Sequence, residues 1–352
     1  MRKFLASILE ILTEKVRGKE PPVAILPILE EHKEVVLEEC KEIEQRHPQA
    51  KKVSKNKTTK KKTEVVPYVR DPIRDVIDLM EFPFLALSKN RRSPIIYESP
   101  DGTQKIKISR HTGHFLASIY DWDIILVIAG QIQKSLNNGS DIPSQKMTIP
   151  RHELLKALHK QDGKKERKDL EKSLSRLQLT GISTTVNNKS YKHKEGFGFI
   201  DSWGYLEREN DREMSVVRVT LSDWLYELCC VRGALLKTDQ SYFELTSGLK
   251  RFLYRTARKH AGKNKDGWKF TVEALYEKSG SEREIKKFKS DLKNAVKENN
   301  IPEYYMEWKE ENGNSSVLFK RLTLHEIDQL ADKIEQEEEK LLLFNELKES
   351  NE

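Results

Sequence analysis

Cysteine is nearly missing: the 352 residues hold three, Cys40 and the adjacent pair Cys229 and Cys230. That spacing provides neither a disulfide framework nor a zinc site, and it suits small buried side chains in a reducing compartment. Long apolar runs are missing too, and nothing approaches the roughly 20 residues that a membrane-spanning helix needs. The opening MRKFLASILEILTEKVRGKE comes closest, but Glu10 interrupts it and no small-residue cleavage site follows. An amphipathic helix is expected there, not a signal peptide. Chemical signatures are equally scarce. No glycine-rich loop leads into lysine and serine or threonine to cradle a nucleotide phosphate. His111 and His114, in HTGH, are too far apart for a His-hydrophobe-His metal motif and read as a turn. GFGF at residues 196–199 has glycines but no following helix, so it reads as a strand with a bulge. His152, His159 and His260 sit among basic residues in helical stretches, where exposed or capping roles are expected. No catalytic residue, metal ligand or cofactor site emerges, and the chain reads as a binder.

What it does have is charge. Lys and Arg number 63 against 56 Asp and Glu, a formal net charge of +7 with a pI near 9.0, which favours an anionic partner. The length leaves room for two or three domains. Residues 1–46 predict two helices broken at Gly18 and the Pro21–Pro22 pair, with Phe4, Leu5, Ile8, Leu9, Ile11 and Leu12 free to pack on a partner or a second copy. Residues 47–65 carry Lys51, Lys52, Lys55, Lys57, Lys60, Lys61 and Lys62 and too little apolar area to fold, so they read as a basic linker.

Residues 241–324 are the most informative. YFELTSGLKRFLYRTARKHAG predicts a helix with Phe252, Leu253 and Ala257 on an apolar side and Arg251, Arg255, Arg258 and Lys259 on a basic one. FTVEALYEKSG follows as a short helix ending in glycine. In SEREIKKFKSDLKNAVKENN, Ile285, Phe288, Leu292 and Val296 form an apolar stripe, while Lys286, Lys289, Lys293 and Lys297 repeat the same spacing one residue on. Ser281 and Glu284 have the spacing of a capping box. EYYMEWKEENGNSSVLFKRL closes the stretch as a hairpin about Asn-Gly. Helix, short helix, basic helix and hairpin is the order of a winged helix-turn-helix, in which the second helix of the pair enters the major groove. Arg251, Arg255, Arg258 and Lys259 are then expected on phosphates, and the face from Arg283 through Lys286 and Lys289 to Lys293 near the bases.

Residues 66–240 hold an earlier version of the pattern. After a hairpin about Asp101-Gly102 and an apolar helix opened by Asp121–Asp123, IPRHELLKALHKQDG and KKERKDLEKSLSRLQLTG repeat the short helix and the basic helix. Leu170, Leu174 and Leu177 are expected inside, with Lys165, Lys168, Lys172 and Arg176 as the basic row. NNKSYKHKEG lies between strand candidates and places Lys189, Lys192 and Lys194 at the tip of a wing. SDWLYELCCV reads as a helix joining the two modules. Residues 325–352 turn acidic and helical, and are expected to stay off DNA.

RDPIRDVIDLMEFPFLALSK, DWD at residues 121–123, IDSW at residues 200–203 and YFELTSGLKRFLYRTARKHAG together resemble the replication initiator protein A family of bacterial plasmids, over about residues 66–322. The resemblance implies an α+β chain of tandem winged helix-turn-helix domains, here with a helical N-terminal and an acidic helical C-terminal extension. It further implies binding to double-stranded origin repeats in the bacterial cytoplasm, opening of adjacent AT-rich duplex, and recruitment of the host initiator, helicase or sliding clamp. KLLLF at residues 340–344 is similar to the pentapeptide that binds the sliding clamp, although lysine stands where glutamine makes the defining contacts; an apolar packing stripe is the competing reading. A homodimer through the N-terminal helices stays open, and no membrane partner is expected. Two other functions remain at this point: a transcriptional regulator using the same modules, and a rolling-circle nicking enzyme.

Overall fold

The structure is a computed structural model that describes residues 73–138, 144–186, 197–208, 211–231, 233–311, 313–323 and 326. The N-terminal helices, the basic linker, the acidic tail with KLLLF, and Lys189, Lys192 and Lys194 lie outside the described residues. The described elements fall in one compact unit, residues 60–302 with 306–320, apart from the ends of the last two strands, which group with the termini.

Mixed helix and sheet make up the unit, an α+β arrangement. Strand β1 (Arg74–Val76) and helix α1 (Ile77–Glu81) lead to a hairpin of β2 (Ile95–Glu98) and β3 (Lys105–Arg110). Asp101 shapes the turn: its carboxylate accepts from the Thr103 amide, 3.2 Å, and Gly102 takes φ +67°. Helix α2 (Asp123–Asn137) is buried from Asp123 through Gly130 and again at Ile132, which explains its apolar run.

Then comes the unit's main regularity. Strand β4 (Lys146–Pro150), α3 (Arg151–Ala157), α4 (Lys164–Leu179), β6 (Ile200–Arg208) and β7 (Asp211–Leu221) follow α2, with β5 (Thr180–Thr184) inserted before β6. After α5 (Asp223–Cys230), β8 (Leu235–Lys237) and a 3-10 turn (Gln240–Glu244), the order returns as α6 (Gly248–His260), β9 (Trp268–Thr271), α7 (Val272–Ser279), α8 (Ile285–Glu298), β10 (Tyr304–Glu311) and β11 (Asn314–Arg321). The sheets match: β4 lies against β7 and β7 against β6, just as β9 lies against β11 and β11 against β10. In both copies the first strand runs directly into the second helix without a loop.

Local chemistry sets the boundaries. Thr271 caps α7, its hydroxyl accepting from the Ala274 amide at 3.2 Å, and Gly280 ends that helix at φ +57°, a conformation in which glycine has no Cβ penalty. The capping box expected before α8 does not form. The helix starts at Ile285 with no side-chain cap, because the Ser281 hydroxyl instead accepts from the Arg283 amide two residues on, 3.2 Å.

The hairpin of the first copy also differs from expectation. Strand β5 does not pair along β6; it pairs antiparallel with β3, from Ile106↔Thr184 to Arg110↔Thr180, and meets the Phe197 region only by an isolated bridge from Ile182. The two-stranded projection is β6 with β7, closing at Arg208↔Asp211. The wing tip assigned from sequence to Lys189, Lys192 and Lys194 falls between β5 and β6, outside the described residues.

Candidate nucleic-acid interface

Helix α8 buries Phe288, Leu292, Ala295 and Val296. Ile285, expected in that stripe, is 41% exposed, because the helix begins with it and its first turn extends past the core. Opposite the stripe, Lys286, Lys287, Ser290, Lys293, Asn294 and Lys297 are all exposed. Lys289 is half-buried and leans towards β10, 5.9 Å from the Trp308 ring, and Lys293 lies 5.2 Å from the same ring. Lys293 also approaches Glu310 at 3.5 Å, so the hairpin claims part of the basic row. Arg283 pairs with Asp291 at 2.9 Å while staying open to solvent. Beside this face runs a groove of about 680 Å³ lined by Arg91, Lys250, Arg283, Asp291, Asn294 and Glu298, among others. Its mixed charges suit a phosphate chain poorly.

In the first copy, Leu170, Leu174 and Leu177 are buried as expected, and Lys164, Lys165, Lys168 and Lys172 are exposed. Arg176 is not available. Its guanidinium makes a two-point contact with Asp121, 2.6 and 2.8 Å, and that carboxylate is 1% exposed. Asp121 in turn accepts from the Ser118 amide and hydroxyl, both at 2.8 Å, so Arg176 ties α4 to the turn before α2.

The same correction applies to the basic side of α6. Arg255 is buried, with Nε 2.6 Å and Nη2 3.1 Å from the Asp75 carboxylate, which also accepts from Trp122 Nε1 at 2.9 Å. Arg251 meets Asp123 at 2.5 Å and lies 4.7 Å over the Tyr120 ring and 4.9 Å over the Tyr242 ring. Burial pushes Asp123 up to about 6 even against the pull of Arg251. Arg258 Nε donates to the Lys237 carbonyl at 2.7 Å, and Lys259 meets Glu81 at 2.7 Å. Glu81 also receives His260 at 3.0 Å and Lys278. Burial alone would raise its pKa, but these three partners together hold it far below the usual carboxylate range. Thus Arg251, Arg255, Arg258 and Lys259, expected on phosphates, are instead internal ties joining α6 to β1, α1, α2 and β8. A guanidinium satisfied by a buried carboxylate would have to abandon it, uncompensated, to reach DNA.

Among the described residues no group of three His, Cys, Asp or Glu could hold a metal ion, and no helix is long and apolar enough to cross a membrane. Cys229 is buried, and burial with the neighbouring Cys230 pushes its thiol up to about 12, leaving it protonated and unreactive.

The family model of replication initiator protein A matches residues 74–306. The chain belongs to the replication initiator protein A family. This initiator is also 31% identical over 233 residues to a candidate replication protein of Wigglesworthia glossinidia brevipalpis, an alignment spanning 66% of this chain and 83% of that one. Among solved structures, domains 2 and 3 of RctB are similar at a TM-score of 0.51 and 14% identity, covering 70% of the initiator and 98% of that chain. That likeness concerns the fold alone.

The sequence missed Lys164, Lys287, Ser290 and Asn294 as exposed members of these faces. On α8, counting every residue opposite Phe288, Leu292 and Val296, and not only the lysines one residue after each apolar position, recovers Lys287, Ser290 and Asn294.

Proposed function

We propose that this initiator grips double-stranded plasmid origin repeats with two winged helix-turn-helix modules, α2 to β7 and α6 to β11, whose third helices α4 and α8 enter successive major grooves. It works without catalysis: binding bends and loosens the adjacent AT-rich duplex, and the exposed protein recruits host replication proteins in the bacterial cytoplasm. The observation that carries the reading is the repeated order of elements with matching sheets, each copy presenting a lysine-rich helix face to solvent. Family membership favours replication over regulation of transcription as the outcome of binding.

The test is a footprint of the full chain on the DNA flanking its own gene, paired with a plasmid replication assay. Regularly spaced protected repeats that also support replication are expected. Protection without replication would leave a regulator, and a covalent protein–DNA product on supercoiled plasmid with magnesium would replace the binder by a nicking enzyme.

A further inference from the structure

Helix α8 is not placed by its own module alone. It has no side-chain cap, and the bonds within the turn before it are local. The Ser281 amide donates to the Ser279 hydroxyl at 3.2 Å, the Arg283 amide to the Ser281 hydroxyl at 3.2 Å, and the Tyr276 hydroxyl to the Arg283 carbonyl at 2.8 Å. These bonds fix the shape of the turn, and its place is held from elsewhere.

Arg91 supplies that hold. It lies in the loop between α1 and β2, ahead of both modules, and is 7% exposed. Its guanidinium donates to the Gly280 carbonyl, at the start of the turn, and to the Ser93 and Pro94 carbonyls of its own loop at 3.1 and 3.0 Å. Glu282, within the turn, lies 3.7 Å from Arg91 and accepts from the Ser93 hydroxyl. A Cβ at Gly280 would stand 2.8 Å from Pro83 Cβ and 3.2 Å from Ile95 Cγ2, so loop and turn are closely packed. One planar fork with several donors thus fastens the turn to a loop 189 residues away.

Small movements at this joint are magnified. Ile285 stands about 10 Å along the helix from Leu292 in the buried stripe. A tilt of about 5° about Leu292 shifts the first turn of α8 by about 0.9 Å, more than the roughly 0.5 Å range of a good hydrogen-bond length.

Resting on the reading that α8 enters the major groove, we infer that Arg91 is a positioning residue for DNA recognition. It touches no DNA. It holds the start of α8 at the angle from which that helix reaches base edges, and the loop before β2 is thereby part of the recognition machinery.

The experiment titrates full-length wild type, Arg91→Ala and Arg91→Lys by fluorescence anisotropy, at a temperature where circular dichroism shows each folded. The probes are a duplex carrying a footprinted origin repeat and an unselected duplex, each over a range of salt. The ratio of the two affinities is the readout, because a variant that is only less folded loses both in proportion and keeps the ratio. Arg91→Ala is expected to lower the ratio by about 5- to 150-fold, the discrimination of one misplaced base contact, with the salt slope on unselected duplex unchanged. Arg91→Lys keeps the charge and the buried stem but lacks the fork, and should lower the ratio less. A level ratio in both variants overturns the inference, leaving Arg91 to stability alone while the two-module reading stands. A slope smaller by about 0.9 in Arg91→Ala also overturns it, since Arg91 would then meet a phosphate itself. If Arg91→Ala does not fold, the ratio for Arg91→Lys decides. A wild type without preference for the repeat sinks the two-module reading and this inference together, and shows before any variant is made.

Discussion

Replacing Asp75 by asparagine tests whether α6 serves the scaffold or the DNA. The carboxylate is 1% exposed and Arg255 7%, with contacts of 2.6 and 3.1 Å between them and a third bond from Trp122. Asparagine keeps the size but leaves the guanidinium charged and uncompensated in the core. Removing one partner of such a pair costs about 3–5 kcal/mol. For a folded unit of this size roughly 2–4 °C is lost per kcal/mol, so Tm should fall by about 6–20 °C in thermal unfolding followed by circular dichroism. Substituting both partners by apolar residues, Asp75→Leu with Arg255→Met, removes the orphan charge and should restore most of that loss, since apolar replacements of buried pairs are often neutral or better. The restored variant should bind duplex DNA with an unchanged salt slope. A Tm within about 2 °C of wild type for Asp75→Asn, or a salt slope reduced by about one in the double variant, would refute the reasoning and return Arg255 to the phosphates.

Removing both Lys286 and Lys297 by alanine substitution should flatten the slope of log K against log salt by about 1.8, measured by fluorescence anisotropy on a fixed duplex, if each neutralises one phosphate. Glu81, held below its ordinary range in the folded state, contributes stability that is present above about pH 4.5 and lost as pH falls towards its folded value; urea unfolding at pH 6 and pH 4 should show a smaller difference in Glu81→Gln than in wild type. At Gly248 a Cβ would stand 2.1 Å from the Leu87 carbonyl oxygen, so Gly248→Ala must displace the start of α6. A loss of about 1–3 kcal/mol is expected in urea unfolding, and an unchanged midpoint would show that this contact is loose.

The sequence made the periodic parts legible. The stripes of α4 and α8, the buried run of α2, the hairpin about Asp101-Gly102 and the two-copy order could all be read because each depends on residues close in the chain. Failures came where partners are distant. Periodicity identifies Arg251 and Arg255 as lying together on α6, but an arginine bound for solvent and one bound for Asp123 or Asp75 look alike in a helical pattern; the pairs close across 128 and 180 residues. Strand pairing failed for the same reason. ISTTV is a good strand by composition, yet its partner β3 lies upstream of α2, and no local signal told it from a strand of the β6–β7 hairpin. On α8, reading only the lysines at the spacing of the apolar stripe passed over Ser290 and Asn294, which lie between them on the same exposed face.

The ties along α6 separate two responses to ionic strength. Arg251 and Arg255 hold their carboxylates where mobile ions do not reach, whereas Lys286, Lys297 and Lys168 stand in solvent within a Debye length of bulk salt. On the proposed reading, rising salt would weaken a grip on duplex DNA long before it touched the architecture that holds α4 and α8. The protein would then leave DNA folded and with its helices still set, ready to rebind when salt falls.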